Sequence, residues 1–150
     1  VLLPFQDIQE LHLSRNGIFA WTEAEGSMKL SSSLTKLETL DLSNNYLSSN
    51  IIQQLTGFHS LRNLSLSKNQ IEGHVQQIDF DAISRSLKEL DLSYNDISSF
   101  AGEYTAKTSE TKAVKLSTTY LRKLELLDLS GNAELGNKII PNVSWLPSLK

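Results

Sequence analysis

The chain has 150 residues, 39% hydrophobic and 21% charged, with a net charge of −3 and no cysteine. That length suits one domain, and the mild negative charge excludes a protein that tracks nucleic-acid phosphates. No stretch approaches the roughly 18–20 apolar residues of a membrane-spanning helix, no signal peptide is visible, and disulfides and thiolate metal sites are absent.

Leucine fills 26 positions, and these fall in a fixed register, L-x-x-L-x-L-S-x-N. In chain order, the first copy is Ile8, Leu11, Leu13, Ser14 and Asn16. The second is Leu37, Leu40, Leu42, Ser43 and Asn45; the third is Leu61, Leu64, Leu66, Ser67 and Asn69. The fourth is Leu87, Leu90, Leu92, Ser93 and Asn95, and the fifth is Leu124, Leu127, Leu129, Ser130 and Asn132. Leu146 and Leu149 are read as the opening of a sixth. Successive asparagines are 29, 24, 26 and 37 residues apart. Five copies of one pattern identify a leucine-rich-repeat solenoid, an α/β repeat architecture expected to be right-handed.

In each L-x-L the leucines share one face of a short strand and the residue between them points the other way. One strand cannot bury its leucines alone, so stacked repeats make a parallel sheet over a continuous core. Strands are predicted around 11–13, 40–42, 64–66, 90–92 and 127–129. Each fully buried leucine contributes about 1.5–3 kcal/mol. Asn16, Asn45, Asn69, Asn95 and Asn132 sit where the chain turns inward, and they are predicted to form a structural ladder, since buried amides are normally paired.

The return segments are polar, with a few apolar anchors such as Ile51, Leu55, Val75, Phe80 and Ile83. Turns, short 3₁₀ pieces or single helical turns are expected there, on the convex side. Two copies are widely spaced. The segment 19–33 makes a longer excursion before the second strand. Between the fourth and fifth copies, Val114, Leu116 and Ser117 imitate V-x-L-S. Either 101–119 loops out or it is a degenerate repeat; the polar composition of 102–112 favours a loop.

On the exposed sheet face the register predicts three columns. One holds His12, Asp41, Ser65, Asp91 and Asp128. Another holds Glu10, Thr39, Asn63, Glu89 and Leu126. The third holds Arg15, Asn44, Lys68, Tyr94 and Gly131. The aspartates have no nucleophile, base and orienting group beside them, so they read as solvated repeat positions rather than catalytic carboxylates. Asp91 is expected to point outward and to cost little when replaced. His12, His59 and His74 lack zinc-ligand spacing, and no glycine-rich phosphate loop is present. No cofactor, metal or catalytic residue is expected. An exposed aromatic on a sheet face suits an anchor, so the candidate ligand-binding residues are Asp41, Ser65, Lys68, Asp91 and Tyr94. Asn63 and Asn142 each open an N-x-[ST] sequon and are glycosylation candidates.

The motifs LETLDLSNNYL at 37–47, LKELDLSYNDI at 87–97 and LELLDLSGNAEL at 124–135 resemble the plant extracellular class of leucine-rich repeats. The opening LPFQDIQELHLSRNGI at 3–18, with Glu25-Gly26 after it, resembles the first repeats of plant receptor-like proteins. The resemblance covers nearly the whole chain. It implies a non-catalytic recognition module near the N-terminal part of a repeat array, itself soluble. The parent would be a glycoprotein receptor at the plasma membrane, facing outward, used in defence or developmental signalling. The implied partners are an extracellular peptide or protein and a co-receptor kinase, with no nucleic acid, and membrane attachment only through other parts of the parent. A secreted inhibitor of the polygalacturonase-inhibiting type is the alternative. A membrane helix or kinase in the parent would decide between them.

Overall fold

The computed structural model describes residues 6–20, 30–101, 121–136 and 146–150. The segment 102–119, Asn142 and the Glu25-Gly26 excursion lie outside the described residues. Five short strands, β1 (Glu10–His12), β2 (Thr39–Asp41), β3 (Asn63–Ser65), β5 (Glu89–Asp91) and β7 (Leu126–Asp128), form one parallel sheet in that order. Each comes from one repeat, and the register aligns Leu11, Leu40, Leu64, Leu90 and Leu127 as partners across the sheet. The strands begin one residue before the predicted spans, because pairing centres on the first leucine of each L-x-L. The second leucine still joins the ladder: Leu13, Leu42, Leu66 and Leu92 donate their N–H to Asp41, Ser65, Asp91 and Asp128 of the next strand.

Alternation does the rest. Leu40, Leu64 and Leu90, at the strand centres, are buried, as are Leu42, Leu66 and Leu92. Their strand neighbours face the other way and are half-buried or exposed. Leu11, Leu13, Leu127 and Leu129 on the two outer strands are only partly buried against this core.

The return segments hold single helical turns, as expected, and one longer helix. Helices α1 (Leu30–Ser33), α2 (Asn50–Gln54) and α3 (Gln77–Ile83) lie there. Phe80 and Ile83 of α3 lie three positions apart on one face and are fully buried; this spacing aligns side chains on a helix. A second parallel pair, β4 (Glu72–Gln76) with β6 (Asp96–Ala101), was not expected. Val75, Ile97 and Phe100 bury its inner side, and the Phe80 and Phe100 rings stand 6.2 Å apart. The register breaks between Gly73 and His74, where Gly73 has a φ of 77°. The extra residue at the break is Ser98 on β6, and opposite it glycine adopts its positive φ without steric cost.

The repeat boundary also moves. Lys150 donates its N–H to Glu125 O, as Glu125 does to Lys88 O and Lys88 to Arg62 O. Leu149 therefore matches Leu124, and Leu146 matches Leu121, one leucine earlier than the sequence register placed them. The full pattern has an additional leading position, filled by Leu34, Phe58, Ser84 and Leu121. Ser84 is fully buried there, and its hydroxyl donates to the carbonyls of His59 and Leu61.

Candidate functional site

The asparagines close each turn by replacing missing backbone partners. Asn69 Nδ2 donates to the carbonyls of Leu42, Leu66 and Ser67 at 3.0–3.2 Å, and its Oδ1 accepts the N–H of Leu47. Asn95 does the same with Leu66, Leu92 and Ser93, and accepts from Ile71. Asn45 and Asn132 repeat the arrangement. Asn16, on the first strand, donates its amide to Ser14 O and its own N–H to Asn45. Each interior amide thus ties two repeats together.

The open face of the sheet is built on this frame. The first two columns occur in the expected register, and equivalent turn hydrogen bonds of Arg15, Asn44, Lys68 and Tyr94 align the third. A shallow groove of about 300 Å³ runs across β2, β3, β5 and β7, with Asp41, Ser65, Glu89, Asp91, Leu126 and Asp128 among its walls.

The aspartates do more than face solvent. Asp41, Asp91 and Asp128 accept the N–H of Ser43, Ser93 and Ser130, two residues on, at 2.9–3.0 Å. This is an Asx turn, in which a short carboxylate completes a backbone loop. Asp91 also accepts from the hydroxyls of Ser93 at 2.7 Å and Ser65 at 3.2 Å. The expectation that Asp91 is expendable is corrected: its side chain lies on the open face but bonds to its own turn and to the neighbouring strand. The signal was the serine two places after each aspartate.

The third column carries a feature that the register did not reveal. Arg15, Asn44, Lys68 and Tyr94 all have φ between 53° and 58°, and Gly131 has 71°. Such a left-handed backbone costs a side-chain-bearing residue about 1–2 kcal/mol. In the first four it is held because the next repeat's serine carbonyl accepts each N–H. Asparagine and glycine in one column were the available clue. Gly131 has a local reason as well. A Cβ there would stand 2.7 Å from the Tyr94 ring, so the ring lies against the glycine. Lys68 Nζ stands over that ring, 5.5 Å from its centroid, in cation–π range. Tyr94 remains 59% exposed, which leaves much of the aromatic surface open.

The candidate ligand residues therefore fall together. Asp41, Ser65 and Asp91 are direct neighbours across β2, β3 and β5, and Lys68 and Tyr94 are neighbours at the end of β3 and β5. Asn63 lies in the same groove, its amide 3.3 Å from the Thr39 hydroxyl. His12 stands 3.6 Å from Glu10 and 3.8 Å from Asp41. His74 pairs with Ser99 on the second sheet. No group of three metal-ligating side chains occurs among the described residues. On the sheet's lateral edge, Glu38 pairs with Arg62 and Glu125 with Lys88 and Lys150. A hydrogen bond from Lys150, then its charge, holds the Glu125 carboxyl below the usual carboxylate range. Lys36 acts likewise on Asp7.

Comparison with known proteins agrees with the geometry. Two leucine-rich-repeat family models match residues 36–58 and 84–99. Receptor-like protein 9a of Arabidopsis thaliana is 34% identical over 92 residues, which cover 61% of this chain and 10% of that protein. The chain thus matches about a tenth of that relative's length. A crystal structure of a pollen receptor kinase 3 aligns with 82% of this chain and 50% of its own, at 25% identity and a TM-score of 0.52.

Proposed function

Taking the chain as a leucine-rich-repeat solenoid of the plant receptor-ectodomain type, we propose that it is a non-catalytic recognition segment of a cell-surface receptor in defence or developmental signalling. The observation that carries this reading is the open sheet face. Its backbone repeats strand by strand, while its outward residues change from His12 to Asp41, Ser65 and Asp91, and from Asn44 to Lys68 and Tyr94. A constant frame with variable side chains lets one architecture serve different ligands. The ligand is an extracellular peptide or protein, held on the face formed by Asp41, Ser65, Lys68, Asp91 and Tyr94, with a co-receptor kinase completing the signal. No helix among the described residues is long and apolar enough to cross a membrane; in this reading the anchor belongs to other parts of the receptor. A glycan on Asn63 would fill the groove, so occupancy of that sequon and ligand binding exclude each other; Asn142 is the other candidate.

The test uses the parent ectodomain and a ligand captured with it. Asp41→Asn, Lys68→Ala, Asp91→Asn and Tyr94→Ala are combined, the asparagines being chosen because they retain the turn acceptors. At least a tenfold loss of affinity in a folded variant is expected, on the order of one anchor residue. Unchanged affinity moves the site off this face.

A further inference from the structure

Five large hydrophobic side chains are exposed among the described residues: Phe19, Tyr46, Tyr94, Leu126 and Leu149. Phe19, Leu126 and Leu149 lie in the first, fifth and sixth repeats, at the ends of the described solenoid. Tyr46 and Tyr94 are different, because each is 59% exposed in a repeat that has a repeat on either side. Neighbouring repeats already cover what they can of these two rings, and both still face solvent. Both stand on the rim where the strands turn inward, Tyr46 directly after the buried Asn45 and Tyr94 directly before the buried Asn95.

Two rows run along this rim. The turn column places Asn44, Lys68 and Tyr94 in one row, and Gly131 follows Tyr94. In the other row Tyr46, Gln70 and Asp96 donate their N–H to the carbonyls of Ile18, Leu47 and Ile71 in the repeat before, and Gly17 precedes Tyr46. Each tyrosine thus has a glycine as its outer neighbour. The space beside Gly17 is open, and the Tyr94 ring lies against Gly131. Between the two tyrosines the third repeat contributes Lys68 and Gln70, both exposed. Among the described residues neither side chain forms an ion pair or a hydrogen bond. Two repeats separate the tyrosines, about 10 Å at the usual strand spacing, with a sideways step of two residues that the long side chains take up.

We infer that this rim takes a proline-rich segment of a protein partner in the polyproline II conformation, with one proline on Tyr46 and another, three residues along, on Tyr94. A polyproline II turn advances about 9.3 Å over three residues, which matches the span of two repeats. Its carbonyls bond to nothing within the segment, so they need donors from outside. The Lys68 ammonium and the Gln70 amide stand between the rings and supply them. Aromatic surfaces suit such segments, because the proline rings are apolar and the chain is already extended, so little freedom is lost on docking. A lone exposed tyrosine fits any apolar contact; two at this interval, with donors between them, select a repeat period. This inference rests on the reading of the open face as a ligand site. Lys68 and Tyr94 belong to both, and Tyr46 and Gln70 extend the site over the rim.

The probe is a synthetic peptide with proline at every third position and serine elsewhere, titrated into the whole chain and followed by proton NMR of the tyrosine rings. The ring signals of Tyr46 and Tyr94 should shift together. Tyr46→Ala and Tyr94→Ala should each weaken the peptide about tenfold, the size of one lost anchor. Tyr46→Phe and Tyr94→Phe should keep most of the affinity, because the ring rather than the hydroxyl makes the contact. Both side chains are exposed, so these variants keep the fold. A peptide with proline at every fourth position turns successive prolines to different faces and should bind about tenfold less. Equal binding of the two spacings, or a shift confined to one ring, overturns the inference. So does a peptide that moves neither ring; a cello-oligosaccharide that moves both in its place would reassign the rim to a glycan. The open-face reading is judged separately, with the ligand captured by the parent ectodomain. Affinity that survives Tyr46→Ala but falls in the combined open-face variant overturns the inference alone, and affinity that survives both overturns both.

Discussion

The buried asparagine turns and the open sheet face are built from the same repeats, yet they treat polar side chains in opposite ways. Asn45, Asn69, Asn95 and Asn132 are buried, and each amide bonds backbone groups in its own and the preceding repeat. The face beside them holds Asp41, Ser65, Lys68, Glu89 and Tyr94, all half-buried or exposed. Where a side chain replaces a backbone partner, only one residue type has the right donors and acceptor, and the chain repeats it. Where a side chain meets solvent, the chain varies. Within-chain repetition thus separates frame from recognition surface. Asp91 stands between the two classes, since one of its oxygens serves the frame and the other reaches a neighbouring strand.

The largest expected effects lie in the frame. Asn69→Ala leaves the buried N–H of Leu47 without its partner, while the carbonyls of Leu42 and Leu66 keep only the bonds from Asn45 and Asn95. At about 1–3 kcal/mol for that unsatisfied group, the loss should approach that of Leu66→Ala, about 2–5 kcal/mol for a large-to-small change in a packed core. Denaturant titration reads both, and an Asn69 variant as stable as the parent would break the distinction. Asp91→Ala should fall between frame and face, at about 1–2 kcal/mol by analogy with the loss of a helix cap. Asp91→Asn should recover much of that, because an amide oxygen can still accept from Ser93. Equal costs for the two substitutions would show that the turn bond contributes nothing.

Gly131→Ala sharpens the comparison at the turn column. It should cost about 1 kcal/mol through the left-handed backbone and push the Tyr94 ring off its seat. Proton NMR would then show the Tyr94 ring signals shifting together with those of the Lys68 side chain. Unmoved signals would mean that the ring does not rest on the glycine. The smallest effect concerns the lateral edge. Because the folded Glu125 carboxyl is depressed, chiefly by its hydrogen bond from Lys150, its stabilisation is present above the ordinary carboxylate range and lost as pH falls through the depressed value. A pH titration should show the Glu125 carboxyl moving back up in Lys150→Ala. The exposed position keeps the stability change slight.

Much of the architecture was legible because the repeat is written in leucine. The L-x-L spacing set the strands, their parallel order and the three outward columns, and Asn69 and Asn95 announced their turns. The second sheet escaped because β4 and β6 have no shared motif: Glu72-Gly73-His74-Val75 and Asp96-Ile97-Ser98-Ser99 look alike in little beyond an acidic first residue. The leading repeat position escaped because serine fills it at Ser84, where two backbone carbonyls rather than the core receive the side chain. The left-handed column was half-visible in Asn44 and Gly131 but masked by Arg15, Lys68 and Tyr94, whose types give no warning of a positive φ. At the site, residue positions were readable from the register alone. The Asx turns and the Tyr94–Gly131 contact depend on distances that spacing does not supply.

The division between frame and recognition surface is tested most directly by measuring stability and ligand affinity together in Asn69→Ala and Tyr94→Ala. Asn69→Ala should lower the unfolding free energy by about 1–3 kcal/mol, the cost of one orphaned buried N–H. Tyr94→Ala should stay within about 0.5 kcal/mol of the parent while losing most of its affinity for the ligand captured with the parent ectodomain. A Tyr94 variant that unfolds as readily as the Asn69 variant, or one that binds the ligand undiminished, would contradict that division.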